Sequence, residues 1–435
     1  MAECSGASRV LVRRRDSEPV MMTTNLKYTD GNGKRICLFG HFGSPNFGNE
    51  ITLQAVLYHL ACRLPKAEVA CICTGPEELA ATQKIKTIPI SRNFVESGKF
   101  HSRFARLLRK LFIGVPSEFC RWLDAFKTLK GVDMLIIPGT GLLTDAYGLL
   151  GWGPYNLLKW SVMARLRRCQ LLFLSVGAGP LYSVFGRCFV KTALSLANFR
   201  SYRDDASMDY LKGIGFPTNG DRVYPDLAFG IPEAMLPQPA GKRSDRTVVG
   251  LGLMFYAGRY SVANPRAAIY EAYLKNLAVF ARWLLAHDYD IRLVIGEVND
   301  RIVSEEFKAL LRNSAGDYDE KRVIDQPALS VEELLPQIAA TDIVVATRFH
   351  NVLLAMVLNK PVISVSFHHK CASLMAEMGL AKYCHDINHL DADRLIEQFQ
   401  DVEKNAATLK PLIRQKVEES RRALEDQYSA IFKSS

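Results

Sequence analysis

Asp342-Ile343-Val344-Val345-Ala346-Thr347-Arg348-Phe349-His350-Asn351-Val352-Leu353-Leu354-Ala355-Met356-Val357-Leu358 is the stretch from which the fold is read. It opens with an apolar, partly β-branched run closed by a polar residue, the texture of a strand buried on both faces of a parallel sheet. The residues after His350 have helix-forming composition and run out at Asn359-Lys360-Pro361, after which Pro361-Val362-Ile363-Ser364-Val365 begins another strand. Arg348, Phe349 and His350 therefore sit where a strand's carboxyl end meets a helix's amino end. In open α/β sheets that edge is where ligands bind, and the helix terminus adds partial positive charge. A guanidinium and an imidazole placed there suit a small, multiply charged anion. The same residues also serve to cap a helix or pair with a nearby carboxylate, so the triplet alone leaves both uses open.

The chain on either side repeats the strand-then-helix texture. Strands are expected at Lys34–Gly40, Glu68–Thr74, Asp133–Pro138, Gln170–Val176 and Arg222–Tyr224, with helical stretches between them. Pro232, Pro237, Pro239 and Gly241 then interrupt any periodicity, which marks a linker. Beyond it the alternation restarts with a strand at Thr247–Leu253, a helix at Pro265–His287 and a strand at Asp290–Gly296. The expected bounds are a disordered leader over 1–33, an N-terminal Rossmann-like domain over 34–230, a linker over 231–246, a C-terminal Rossmann-like domain over 247–405 and a terminal helix over 406–435. The fold class is α/β: two Rossmann-like domains facing across a cleft, similar to the glycosyltransferase B arrangement. A chain of 435 residues suits two such domains.

Composition narrows the chemistry. The net charge of +10 favours anionic partners: a phosphorylated metabolite, an anionic glycan carrier or a membrane surface. Nucleic acid is not expected, because no recognised reader motif accompanies the charge. No apolar run approaches the roughly 20 residues of a membrane span, and Arg13-Arg14-Arg15 is not followed by the apolar stretch of a secretory signal. The ten cysteines show no C-x-x-C pair and read as buried, reduced thiols of a cytoplasmic protein, with no metal site. Phe100-His101-Ser102-Arg103-Phe104-Ala105-Arg106-Leu107-Leu108-Arg109-Lys110-Leu111-Phe112 sets basic residues between apolar ones near helical spacing. It reads either as a surface helix packed on the sheet or as a helix lying on an anionic membrane at its inner face.

Glycine-bearing loops recur at strand ends. Gly40, Gly43 and Gly48 surround Asn46, with Asn49 as the expected helix cap and Glu50 in the first turn. Gly139 and Gly141 lead to Asp145, and Gly177 and Gly179 lead to Pro180. Together they read as one sheet edge held open so that backbone amides approach a ligand. Arg203, ahead of Asp204-Asp205, stands at a further strand end, and Tyr224-Pro225-Asp226 follows. Asp226 is placed to orient an arginine or a hydroxyl, or to stop the strand.

In this order the pieces resemble the polysaccharide pyruvyl transferase family. The resemblance rests on Asn46, Gly48 and Glu50; Gly139, Gly141 and Asp145; Gly177, Gly179 and Pro180; Arg203 and Ser207; Pro225-Asp226; and Arg348-Phe349-His350 with Lys360-Pro361 and Lys370. It spans about residues 34–380. Asn49 stands where the family often has Asp, and Thr140 interrupts what is often a glycine run. The resemblance implies a transferase that moves the enolpyruvyl unit of phosphoenolpyruvate onto a sugar of a polysaccharide or lipid-linked precursor as a cyclic ketal. It also implies that Arg203 and Arg348 grip the donor's oxyanions. His350 would be general acid or phosphate partner, Asp226 and Glu50 bases for the sugar hydroxyls, and Lys370 a further charge near the phosphate. Phe349, Asn46, Gly139, Gly141, Asp145, Gly177 and Gly179 would line the substrates. No cofactor or metal is called for, phosphoenolpyruvate being a co-substrate. Two rivals share the fold: a glycosyltransferase using a sugar nucleotide, and a non-catalytic subunit of a glycan-assembly complex.

Overall fold

The computed structural model describes residues 33–92, 114–146, 148–150, 153–238, 246–255, 265–313, 318–367 and 369–432. The basic segment Phe100–Phe112 and the leader over 1–32 lie outside the described residues. Among the described residues thirteen strands form two sheets in which every paired neighbour is parallel. The first comprises β1 (Arg35–Gly40), β2 (Glu68–Cys73), β3 (Lys86–Pro89), β4 (Met134–Pro138), β5 (Gln170–Val176), β6 (Phe199–Tyr202) and β7 (Arg222–Val223). Their order is β3-β2-β1-β4-β5-β6-β7. The second comprises β8 (Val248–Leu253), β9 (Asp290–Ile295), β10 (Val323–Asp325), β11 (Ile343–Ala346), β12 (Val362–Ser366) and β13 (Cys384–Asp386), ordered β10-β9-β8-β11-β12-β13. Both sheets reverse strand order once, between β1 and β4 and between β8 and β11, and such switch points open crevices at the strands' carboxyl ends.

The apolar runs behave as their composition dictates. Every residue of β4 and of β11 is buried, as expected of strands covered on both faces. Around the first sheet Phe39, Leu135, Phe173 and Trp160 are essentially inaccessible, and the Trp160 indole donates to the Ile90 carbonyl at 3.0 Å. Burying each such side chain contributes on the order of 2–3 kcal/mol. Two strands, β3 and β13, are not announced by the sequence. Both lie at sheet edges, where a strand has one neighbour and tolerates the mixed polarity of Lys86-Thr87-Ile88-Pro89 and Cys384-His385-Asp386.

The chain divides into two compact units, but not by one cut at the linker. The first takes the described residues up to Ser44, then Val56–Leu227 and the chain from Gln427. The second takes Pro45–Ala55 and Ala228–Asp426. The helix Phe47–Arg63 is thus shared, its first turns belonging with the second unit. Within that unit Asn46 bridges Glu297 in antiparallel fashion, the Phe47 amide donates to the Gly296 carbonyl at 3.2 Å, and the Val298 amide to that of Pro45 at 3.0 Å. At the other end of the chain, the Gln427 amide donates to Ser201 Oγ and Tyr428 stacks on His59, both within the first unit.

Cysteine burial is more varied than expected: Cys37, Cys71, Cys73, Cys169 and Cys371 are buried, whereas Cys62, Cys120 and Cys188 are exposed.

Candidate functional site

In the first unit, Arg203 follows β6 directly and is buried. Its Nη1 lies 3.1 Å from Asp226 Oδ2, and its Nε lies 3.5 Å from Asp204 Oδ2. Burial works against the guanidinium's charge, but the two carboxylates raise its pKa above the ordinary arginine value. Asp204 also caps the helix Asp205–Gly213, its Oδ1 accepting from the Ser207 amide at 2.7 Å. The Gly177–Gly179 loop is fitted around this arrangement. A Cβ on Gly177 would come within 2.5 Å of Arg203 Nη2, and the Ala178 amide donates to Ser207 Oγ at 3.0 Å. Gly179 has φ +83° with the Tyr210 ring against it, a conformation that favours glycine.

The Gly139 loop is equally tight, since a Cβ there would collide with the Ser175 carbonyl. Gly141, with φ +72°, has open space on that side. Asp145 is tied into the turn that follows the Gly177 loop. One oxygen accepts from the Tyr182 amide at 2.7 Å, the other from the Ser183 amide at 2.8 Å and the Ser183 hydroxyl at 2.6 Å. Burial alone would raise its pKa, but these donors hold the carboxyl below the ordinary aspartate value. Asp145 is the anchor of the turn that starts the helix Val184–Ser195.

The second unit gathers a different set. Arg348 occupies the cap position of the helix Phe349–Val357, at the carboxyl end of β11, where β11 borders β8. Its Nε and Nη2 fork onto Asp300 at 2.9 and 2.6 Å, and its Nη1 meets Glu297 Oε2 at 3.0 Å. Asp300 is fully buried and also accepts from the Phe255 amide at 2.8 Å and the Gly296 amide at 3.3 Å. Burial pushes its carboxyl up from the ordinary aspartate value, while Arg348 and the Phe255 amide pull the other way. Glu297 Oε1 accepts from the Asn299 side chain at 2.9 Å.

His350 is half-buried, its ring edge-on to Phe349 at 5.0 Å between centroids. Gly48 packs so closely on this imidazole that a Cβ would collide with the ring. Asn46, not the expected Asn49, caps the helix beginning at Phe47: its Oδ1 accepts from the Gly48 amide at 3.0 Å and the Asn49 amide at 3.4 Å. Glu50 stands half-buried in the same first turn. Lys370, also half-buried, opens the helix His369–Glu377 after β12, the strand beside β11.

The structure therefore brings Asn46, Gly48, His350 and Arg348 into one neighbourhood of the second unit. Arg203, Asp226, Gly177 and Gly179 form another in the first. Asp226 is buried against Arg203, the arginine-orienting arrangement that was one of the readings open to it in the sequence. Three residues were missed by sequence reasoning. Glu297 and Asp300 lie 51 and 48 positions before Arg348, and Asn351 is completely buried with no hydrogen bond to its side-chain atoms among the described residues. The available signal was the acidic turn Glu297-Val298-Asn299-Asp300 directly after β9, on the same sheet edge as Arg348. A concavity of about 600 Å³ borders the C-terminal helix and is lined by Asn359, Lys410, Arg414 and Arg422 among others, without any of the strand-end residues.

Among the described residues no cluster of three or more His, Cys, Asp or Glu could hold a metal, and no helix is long and apolar enough to cross a membrane. A family model described as polysaccharide pyruvyl transferase matches residues 46–369. The amylovoran biosynthesis protein AmsJ of Erwinia amylovora is 20% identical over 423 residues, covering 89% of this chain and 96% of its own. Among solved structures, Anabaena Alr3699/HepE in complex with UDP superposes with TM-score 0.57 at 14% identity, over 91% of this chain and all of that one. A UDP-N-acetylglucosamine 2-epimerase from Listeria monocytogenes gives 0.60 at 10% identity, over 93% and 98%. These likenesses establish two parallel-sheet α/β domains of the glycosyltransferase B type.

Proposed function

This chain belongs to the polysaccharide pyruvyl transferase family, and from that premise we propose that it moves the enolpyruvyl unit of phosphoenolpyruvate onto a sugar of a polysaccharide or lipid-linked precursor. The product is a cyclic pyruvate ketal and the leaving group is phosphate. Support comes chiefly from one observation: at the switch point of the second sheet, Arg348 and His350 stand side by side at a helix amino end, with the Gly48 turn packed on the imidazole.

Each step asks for something these residues supply. The donor carries a phosphate and a carboxylate, and a guanidinium at a helix start attracts either. His350 delivers a proton to the methylene carbon, leaving cationic character on the carbon that bears the phosphate ester. A sugar hydroxyl adds there and loses its proton, with Glu50 as the acceptor. Phosphate then departs with its bonding electrons as the second hydroxyl closes the ring and gives its proton to the imidazole of His350, which the first step left neutral. Lys370 adds positive charge on the same sheet edge, where phosphate accumulates negative charge. Arg203, enclosed by Asp204 and Asp226, shapes the glycine loop of the first unit.

Phosphate release from phosphoenolpyruvate, followed over a panel of sugar acceptors, tests the reading. Release with at least one acceptor and loss of that activity in His350→Ala are expected. No release with any acceptor, together with no phosphoenolpyruvate binding in a thermal-shift assay, would sink it. Binding of a sugar nucleotide in its place would favour a glycosyltransferase.

A further inference from the structure

Arg348 is held by two carboxylates of unlike character. Asp300 is completely buried and takes the fork of Nε and Nη2, while its oxygens also accept the Phe255 and Gly296 amides. It is a fixed support, because removing it would strand a buried guanidinium edge and two amides. Glu297 takes Nη1 at 3.0 Å, and its side chain keeps 21% of its surface in solvent. Its other oxygen is satisfied by the Asn299 amide group, itself an exposed pair. One carboxylate is built in, and the other rests against water.

We propose that Glu297 competes with the donor's phosphate or carboxylate for Arg348, and that it must yield before the donor binds. The inference rests on the reading of Arg348 as the donor-binding group. Charge balance supports it. Arg348 with Asp300 alone is neutral and receptive to an oxyanion; adding Glu297 makes the trio negative, so an incoming anion meets repulsion until that carboxylate turns away. Geometry gives it a route, since the partly exposed side chain is bonded to Nη1 and can rotate away without breaking the Asp300 fork on Nε and Nη2. The backbone of Glu297 is bridged to Asn46, and Gly48, two residues on, packs on His350. Glu297 is thus a positioning residue whose backbone lies beside the turn that packs on His350.

The test is titration calorimetry with phosphoenolpyruvate and, separately, inorganic phosphate, on the wild type, Glu297→Gln and Glu297→Ala. Gln keeps the size of the side chain, removes the charge and keeps one of the two accepted hydrogen bonds, since its amide nitrogen only donates. Both variants are expected to bind phosphoenolpyruvate about tenfold more tightly than the wild type, and KM for the donor to fall while kcat does not rise. A residue with only a structural role would weaken binding or leave it unmoved. Wild-type binding of phosphoenolpyruvate with equal or weaker binding by both variants overturns the inference and leaves the function standing. Failure of the wild type and both variants to bind either ligand overturns the inference and the donor reading together.

Discussion

Arg203 and Arg348 arise from the same local pattern, an arginine at the carboxyl end of a parallel strand just before a helix, yet the two units use them differently. Beside Arg203 both ion-paired carboxylates are buried: the side chains of Arg203, Asp204 and Asp226 keep 7%, 5% and 3% of their surface. Around Arg348 the buried Asp300 is matched by a partly exposed Glu297. In the first cluster, displacing Asp204 or Asp226 from Arg203 would leave a carboxylate alone in a medium of low dielectric. The second has a fixed half and an exchangeable half. The same position on a sheet edge therefore comes with counter-charges of unlike solvent access.

The strongest way to break this contrast is Arg203→Met. It leaves two buried carboxylates without their cation, and about 3–5 kcal/mol of stability should be lost in urea unfolding. If the variant instead unfolds at the wild-type midpoint and loses only phosphoenolpyruvate binding, Arg203 is a ligand group and the contrast fails. Gly48→Ala probes the open cluster. The added methyl displaces the His350 ring, and kcat/KM should fall about 10²-fold, with far-UV circular dichroism unchanged; an unaltered rate would remove His350 from the chemistry. Asp145→Asn, among the closed contacts of the first unit, should cost about 1–2 kcal/mol with donor affinity unmoved. A carboxyl depressed on folding contributes stability that is full above its unfolded value, 3.8 here, and lost as pH falls through the folded value. Unfolding midpoints measured from pH 6 down to pH 2 should therefore drop less steeply in the Asn variant than in the wild type.

Much of this was legible before any coordinates. The all-apolar β4 and β11 and the glycines after β1, β4 and β5 were visible as local texture, because burial on two faces and a tight strand-to-helix turn each restrict residue choice within a few positions. Arg348-Phe349-His350 was legible for the same reason. The cap of the first helix was misplaced from Asn46 to Asn49, since both are good caps and only the backbone's course selects between them. The edge strands β3 and β13 were hidden by their mixed polarity.

By itself, then, the sequence determined the alternation of strand and helix, the parallel sheets that follow from it, and which side chains stand at strand ends. Tertiary structure alone decided which carboxylates those side chains face. Asp300 reaches Arg348 across 48 positions and Asp226 reaches Arg203 across 23, separations over which no periodicity extends. It also decided that Pro45–Ala55 belongs with the second unit, because the pairing of Asn46 with Glu297 is made of backbone groups that every residue carries and no residue type advertises.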